Sequence, residues 1–299
     1  MEKITIVISS FNQEKYIPDL IKSLKSQTFQ NFKVLVVDSF STDSSVKIFK
    51  QYDKVELISL KCDAENGYLH GINLVKSKYL MIMTTSDFYY SKTWLETAYE
   101  TLEKDHDLSL VWSSAVSIHE DGKFLSNWRP EFYFTIAPDK IEYFYYWFCN
   151  NYLPELNYCV HTKVYQYCIK DYIKIESKFN FLVYFLLNFT KNGFLPKYIK
   201  QLGHAGRYHA DAESQSKEFI KIHKSWNNIY RNLQFKYFKD LILKKKIHNF
   251  RNSKFEIIKS LSTFDIFLLP FRISLKKIYD IKFFVIRKIF YKKNLNSIT

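Results

Sequence analysis

Ile4-Thr5-Ile6-Val7-Ile8-Ser9-Ser10-Phe11-Asn12 is the stretch that decides the fold. Ile4, Ile6 and Ile8 interleave with Thr5, Val7 and Ser9, and the run stops at the polar Ser10-Phe11-Asn12. That pattern describes a buried parallel strand, apolar on both faces. Asn12 is placed to cap the helix that follows, with Pro18 in its first turn, where a missing N–H costs little. Ile17, Leu20, Ile21 and Leu24 recur at helical spacing and predict a face packed back onto the sheet. A second strand, Phe32 to Val37, ends on Asp38-Ser39-Phe40-Ser41-Thr42-Asp43, where Ser41 or Thr42 can cap a helix through Tyr52. Strand, helix and strand in this order form a right-handed crossover with both strand C-termini on one edge. Ligands of open parallel sheets bind on that edge, so Ser9–Asn12 and Asp38–Asp43 are expected to face one crevice.

Further along, Val55 to Leu60 reads as a third strand, followed by an expected loop, Cys62-Asp63-Ala64-Glu65-Asn66-Gly67. Tyr79 to Met83 reads as a fourth strand, followed by Thr84-Thr85-Ser86-Asp87-Phe88. Trp94 to Leu102 predicts a helix, Ser109 to Ser117 a strand, and His119 to Lys123 a hairpin turn. The block from Trp128 to Tyr158 is crowded with aromatic residues, including Tyr143-Phe144-Tyr145-Tyr146-Trp147-Phe148. Such a run serves either as the stripe of a core helix or as a platform on which sugar rings stack.

At 299 residues the chain can bury one large α/β core and an appendage. Gly and Pro, six of each, are too few for flexible linkers, and no internal repeat is visible. Cys62, Cys149, Cys159 and Cys168 lack metal-ligand spacing and read as free thiols of a reducing compartment. The sequence enters a strand directly after Glu2 and Lys3, without the regions of a signal peptide. No stretch offers the roughly twenty apolar residues of a spanning helix. A cytoplasmic protein, held at most on the inner face of the membrane, is the expectation.

The net charge is +14, and Lys236 to Thr299 hold sixteen Lys and Arg against four acids. Phe271, Leu275, Ile278, Ile281, Val285 and Ile289 repeat every three or four residues there, with Lys and Arg between them. A basic amphipathic helix of this kind suits an anionic bilayer surface. It equally suits a helix packed on its own domain with a solvated basic face. Nucleic acid is not an expected partner, because no recognised module accompanies the charge.

Three elements carry a family likeness: Ile6-Val7-Ile8-Ser9-Ser10-Phe11-Asn12, Gln27-Thr28-Phe29, and Val36-Val37-Asp38-Ser39-Phe40-Ser41-Thr42-Asp43. In order and spacing they resemble the opening of family 2 glycosyltransferases. The clear likeness covers about residues 3–50, with thinner matches through 62–115 and 155–216. It implies an inverting enzyme of the GT-A fold, a Rossmann-like, mostly parallel sheet with flanking helices. That domain would span 1–215, with a nucleotide-sugar half (1–115), an acceptor half (116–215), and a helical basic appendage at 216–299. The implied partners are a nucleotide-sugar donor, UDP-linked, and a glycan or lipid-linked glycan acceptor in bacterial surface polysaccharide assembly.

The resemblance also assigns residues. Ser9 and Phe11 match positions lining the nucleotide pocket; Asp38, Ser39, Asn66, Gly67 and Ser86 fall in donor-binding loops. Asp87 stands in the loop where relatives hold Mg²⁺ or Mn²⁺ against the donor diphosphate. Counting from the strand makes it the last acid of that motif; counting back from Trp94-Leu95 makes it the metal ligand, the count preferred here. Relatives carry more acids: Ser39 and Ser86 replace carboxylates, and Asn180 stands where a catalytic Asp would be. Glu176 and Asp171 are the remaining candidates for the base that deprotonates the acceptor hydroxyl. Arg207 and His209 match an Arg-x-His loop that offsets the charge of the leaving diphosphate. The depleted motif leaves a second possibility, a transferase fold that binds sugar nucleotide or scaffolds a complex.

Overall fold

The computed structural model describes residues 2–128, 156–173, 180–192 and 194–209, together with the two-residue strands Ile247–His248 and Lys254–Phe255. Glu176, Cys149, the aromatic run Tyr143–Phe148 and the basic helix expected near the C-terminus lie outside the described residues, apart from those two short strands.

The opening strand, β1 (Ile4–Ser10), lies between β2 (Phe32–Asp38) and β4 (Tyr79–Ile82), parallel to both. Ile4, Ile6, Val7 and Ile8 are completely buried, as expected for a strand with layers on both faces. β3 (Val55–Ser59) adds to the outer side of β2, again parallel. The crossovers are α1 (Ile17–Lys25), α2 (Ser45–Lys50) and α3 (Ala64–Leu74). All four of these strands therefore end on the same edge.

The other half departs from the mostly parallel sheet expected from the sequence. α4 (Trp94–Lys104) leads into β6 (Leu108–Ile118). β8 (Tyr158–His161) runs antiparallel between β4 and β6. β6 pairs in parallel with the long β9 (Leu195–Arg207), and the short β5 (Phe88–Tyr89) closes the row antiparallel to β9. β7 (Phe124–Trp128) folds back on β6 through the predicted hairpin turn, whose Gly122 has φ +84°. The nine-stranded sheet runs β3-β2-β1-β4-β8-β6-β9-β5, with β7 beside β6. The physical reason is that β8 reverses direction, which turns β6 and β9 so that their C-termini, Ile118 and Arg207, lie on the same edge as Ser10 and Asp38. α5 (Thr162–Ile169) and α6 (Phe181–Lys191) complete the described helices.

Two sequence expectations change locally. The segment beginning at Cys62 is a helix N-terminus from Ala64 onward, because the Asp63 carboxylate accepts the Asn66 N–H at 2.9 Å and caps it. Gly67 and Gly71 sit one turn apart on the face of α3 that meets the sheet. A Cβ on Gly67 would come within 2.4 Å of Ser9 Oγ, and one on Gly71 within 2.7 Å of Val7 Cγ1. These glycines let the helix lie close on β1. The Gln-Thr-Phe end of α1 is likewise a joint: buried Gln27 donates to Ser91 O at 2.9 Å and accepts from Leu95 N at 3.3 Å.

Gly71→Ala is expected to lower unfolding stability by about 1–3 kcal/mol, since the buried β1 strand has no room to retreat. Urea titration of the variant beside the parent measures it, and an unchanged midpoint would contradict this close packing.

Candidate active site

At the shared edge, the loops leaving β1 and β2 are laced together. Ser39 N donates to Ser10 O at 2.9 Å, extending the strand pairing by one bond. Asn12 N then donates to Ser41 Oγ at 2.9 Å, and Thr42 N donates to Asn12 Oδ1 at 2.8 Å. Asn12, at φ +51°, thus bonds across to the second loop rather than capping α1, whose N-cap is Tyr16. Ser41 and Thr42 do not cap α2 either. Asp43 accepts the Glu14 and Ser45 N–H groups, and Glu14 accepts from Ser44 N. Burial raises the Asp43 carboxyl pKa somewhat, but the bonds from Ser45 and Glu14 outweigh it and hold it below the usual range.

Asp38 is wholly buried, and its carboxylate accepts from Ser41 N at 2.8 Å and Ser41 Oγ at 2.6 Å. It shapes the second loop. Ser39 reaches the third loop, donating from Oγ to Cys62 O at 2.5 Å and accepting from Cys62 N at 3.1 Å. Asn66 is exposed, with its N–H and Nδ2 both directed to Asp63. Phe11 stands on the rim, 56% exposed.

Asp87 joins this edge from the segment between β4 and β5. Its Oδ1 accepts the Arg207 N–H at 2.9 Å, and its Oδ2 lies 3.3 Å from His204 Nε2. That second contact has ion-pair distance without hydrogen-bond alignment, and it attracts when the imidazole is protonated. Burial pushes the Asp87 carboxyl up, yet His204, the Arg207 N–H and Thr84 together hold it below its usual range. A residue without a signal in the sequence, Tyr68, lies near both the Ser9 backbone and the Asp87 carboxylate. Tyr68, one turn into α3, donates its hydroxyl to Met83 O at 3.1 Å. Burial, and then the nearby Asp87 charge, raise its phenol, against a hydrogen bond from the backbone of Ser9.

Arg207 was expected to meet a diphosphate. Its guanidinium is instead committed to protein: Nε donates to Ser86 O at 2.9 Å, Nη1 to Glu120 O at 2.7 Å, and Nη2 to Asp19 Oδ2 at 2.6 Å. The side chain is only 3% exposed and lies over the Tyr16 and Phe88 rings. It ties α1, the β4–β5 segment and the β6–β7 turn into one wall. Asp19 and Glu120 gave no sequence signal, being surface acids far away along the chain. His209 is half-buried beside Tyr16, ring centroids 4.9 Å apart.

In the half where the sequence leads one to expect the acceptor, Asn180 Oδ1 accepts the Val183 N–H at 2.9 Å and caps α6; an amide cannot act as a base. Glu65 reaches the same helix end, accepting from Phe181 N at 2.9 Å and from the Tyr172 hydroxyl at 2.6 Å. Asp171 is exposed immediately before Tyr172. Cys159 and Cys168 are buried free thiols and Cys62 is a half-buried one. Burial raises the first two well above their ordinary range.

Buried polar atoms at this edge, among them Ser10 Oγ, His204 Nε2 and His209 Nδ1, have no hydrogen-bond partner among the described residues. Unmet buried polar groups are rare and call for a ligand or water. For a divalent cation the fit is partial but chemically sound. Among the described residues no group of three or more His, Cys, Asp or Glu can hold a metal. Asp87 Oδ2 and His204 Nε2, 3.3 Å apart, are two adjacent metal-competent atoms, and Mg²⁺ commonly takes its other ligands from substrate phosphates and water.

Residues 5–154 match the model of glycosyl transferase family 2, about half of the chain, and the protein belongs to that family of glycosyltransferases. Among curated relatives it is 27% identical over 138 residues to an uncharacterized glycosyltransferase, MJ1057, of Methanocaldococcus jannaschii, covering 44% of this chain and 47% of that one. It is 30% identical over 125 residues to the poly(ribitol-phosphate) beta-N-acetylglucosaminyltransferase TarS of Staphylococcus aureus, covering 39% of this chain and 22% of TarS. A teichoic acid poly(glycerol phosphate) polymerase of Staphylococcus epidermidis matches over 96 residues at 34% identity, 29% of this chain and 13% of the polymerase. The matches thus span less than half the length of each of these relatives. Among solved structures, residues 1–349 of S. aureus TarS with UDP-GlcNAc superpose with a TM-score of 0.56 at 16% identity, covering 77% of this chain and 66% of that one. This likeness establishes the GT-A type α/β fold.

Arg207→Lys keeps the charge but cannot bridge three acceptors. It is expected to destabilise the protein by about 2–4 kcal/mol, because Asp19 and two carbonyls lose their partner. Denaturant unfolding gives the value, and a loss under 0.5 kcal/mol would deny Arg207 this bridging role.

Proposed function

We propose that the protein moves a sugar from a UDP-linked donor, with inversion, to a hydroxyl of a glycan acceptor. The observation carrying this reading is the convergence at one sheet edge. Loops separated by up to two hundred residues bring Ser9, Asp38, Asp87 and His209 to a rim where buried polar atoms lack partners. Family membership and the fold shared with a UDP-GlcNAc complex of TarS support the donor class.

In the proposed reaction the acceptor oxygen attacks the anomeric carbon, the bond to the β-phosphate oxygen breaks, and UDP departs from the opposite face. The acceptor proton passes to a carboxylate, for which Glu176 and Asp171 are the candidates. Glu65 is a positioning residue for this side, fixing Tyr172 and the start of α6. Asp87 and His204 would hold a divalent cation, which when bound neutralises charge on the diphosphate. His209, half-buried beside Tyr16, is the better placed residue of the Arg-x-His pair, since Arg207 is engaged within the protein.

Isothermal titration of the full chain with UDP, with and without Mn²⁺, is the test. Binding strengthened by the metal is the expected outcome. Absence of UDP binding under both conditions would overturn the donor assignment, and metal-indifferent binding would overturn the role given to Asp87 and His204.

The proposed setting is bacterial surface polysaccharide assembly on a lipid-linked acceptor, supported by the teichoic acid relatives and by the basic sequence of residues 236–299. Among the described residues no helix is long and apolar enough to cross a membrane. Peripheral attachment at the inner leaflet therefore rests on the basic amphipathic pattern. Flotation with anionic liposomes should carry the full chain upward and leave behind a form ending at residue 235. Equal flotation of both forms would refute it.

A further inference from the structure

Glu65 and Tyr68 lie three residues apart on α3 and share one face of it, while Gly67 and Gly71 occupy the face against the sheet. The first face meets α6. Glu65 Oε1 accepts the Phe181 N–H at 2.9 Å and the Tyr172 hydroxyl at 2.6 Å. The Tyr68 ring stacks on the Phe181 ring, with centroids 5.7 Å apart and an interplanar angle of 29°. A carboxylate is favoured at the start of a helix, where N–H groups lack partners within the helix and the dipole is positive. The far end of α3 is fastened as well: Gln166 of α5 donates from Nε2 to Ile72 O at 2.9 Å and to Val75 O at 3.2 Å.

The same helix is bound to the edge where the parallel strands end. Ser39 holds Cys62, just ahead of α3, through two hydrogen bonds. Gly67 sits against Ser9, and the Tyr68 hydroxyl donates to Met83 O at 3.1 Å, at the start of the segment that carries Asp87. One short helix thus bonds both to the loops of the proposed donor edge and to the start of α6. Whatever restricts its first turn restricts both.

We propose that Glu65 is a positioning residue that transmits occupancy of the donor edge to the start of α6. This goes beyond the nucleotide-donor reading and rests on it. A ligand against the loops at Ser9, Ser39 and Cys62 orders the first turn of α3, and the Glu65 carboxylate passes that order to Phe181 and Tyr172. Coupling of this kind needs no displacement of the backbone, because ordering one site lowers the entropy lost on ordering the other.

The test is amide hydrogen exchange across Phe181–Phe185 in the full chain, with and without saturating UDP. UDP is expected to slow exchange there by about fivefold in the parent, the lower range of couplings between sites. Glu65→Gln, whose amide oxygen can accept both bonds, should keep that effect. Glu65→Ala should bind UDP and lose it. A residue with a structural role alone would speed exchange with and without UDP alike, and an unchanged effect of UDP in Glu65→Ala would overturn the proposal. Equal slowing in α4 would overturn it too, since that reports only general stabilisation by a bound ligand. So would loss of UDP binding in Glu65→Ala, which would make Glu65 part of the donor edge itself. If Glu65→Ala does not fold, Tyr172→Phe decides, and an undiminished effect of UDP there would reject the coupling. A parent that binds UDP without slowing at α6 would sink the coupling alone, whereas a parent that binds no UDP would sink the donor assignment with it.

Discussion

A strand that is apolar on both sides has to be covered on both sides, and this constraint organises the molecule. β1 satisfies it with parallel neighbours, with α1 and α3 among the helices that cover the sheet, and with glycines that let α3 approach within contact of Val7 and Ser9. Parallel neighbours linked by helices place their C-terminal ends together. The polar groups released at those ends are thereby gathered into one place, where water or a ligand must meet them.

The edge is built by two kinds of bond. Short-range bonds, such as Asp38 to Ser41 and Asp63 to Asn66, shape single loops. Long-range bonds, such as Asn12 to Thr42, Glu65 to Phe181 and Arg207 to Asp19, join loops that the chain separates widely. The second kind makes the rim a rigid frame. Arg207 illustrates the trade between structure and chemistry, because a guanidinium that holds three elements together has less to offer a substrate.

The acids that the resemblance leads one to expect at this edge are fewer here, and the tertiary structure shows what the remaining polar groups bond to. Asp87 is held ionised against the cost of burial by a backbone N–H and an imidazole. Asn180 caps α6 through its amide oxygen, which accepts the Val183 N–H. Tyr68, Glu65 and His204 supply contacts at the same rim from positions where the sequence shows only an ordinary helix or strand.

The opening strand and helix, the crossover, the edge that carries the loops and the family itself were legible in residues 4–43, because alternation, helical spacing and turn chemistry are local. Local signals also account for the misreadings: Asn12 has the chemistry of a cap, and only the neighbouring loop shows that Thr42 is its partner. The antiparallel insertion of β8, the engagement of Arg207 and the placement of Tyr68 near both Ser9 and Asp87 were decided by tertiary structure. Each depends on contacts between segments far apart in the chain, and a hydrogen bond between such segments leaves no periodic trace in the sequence of either one.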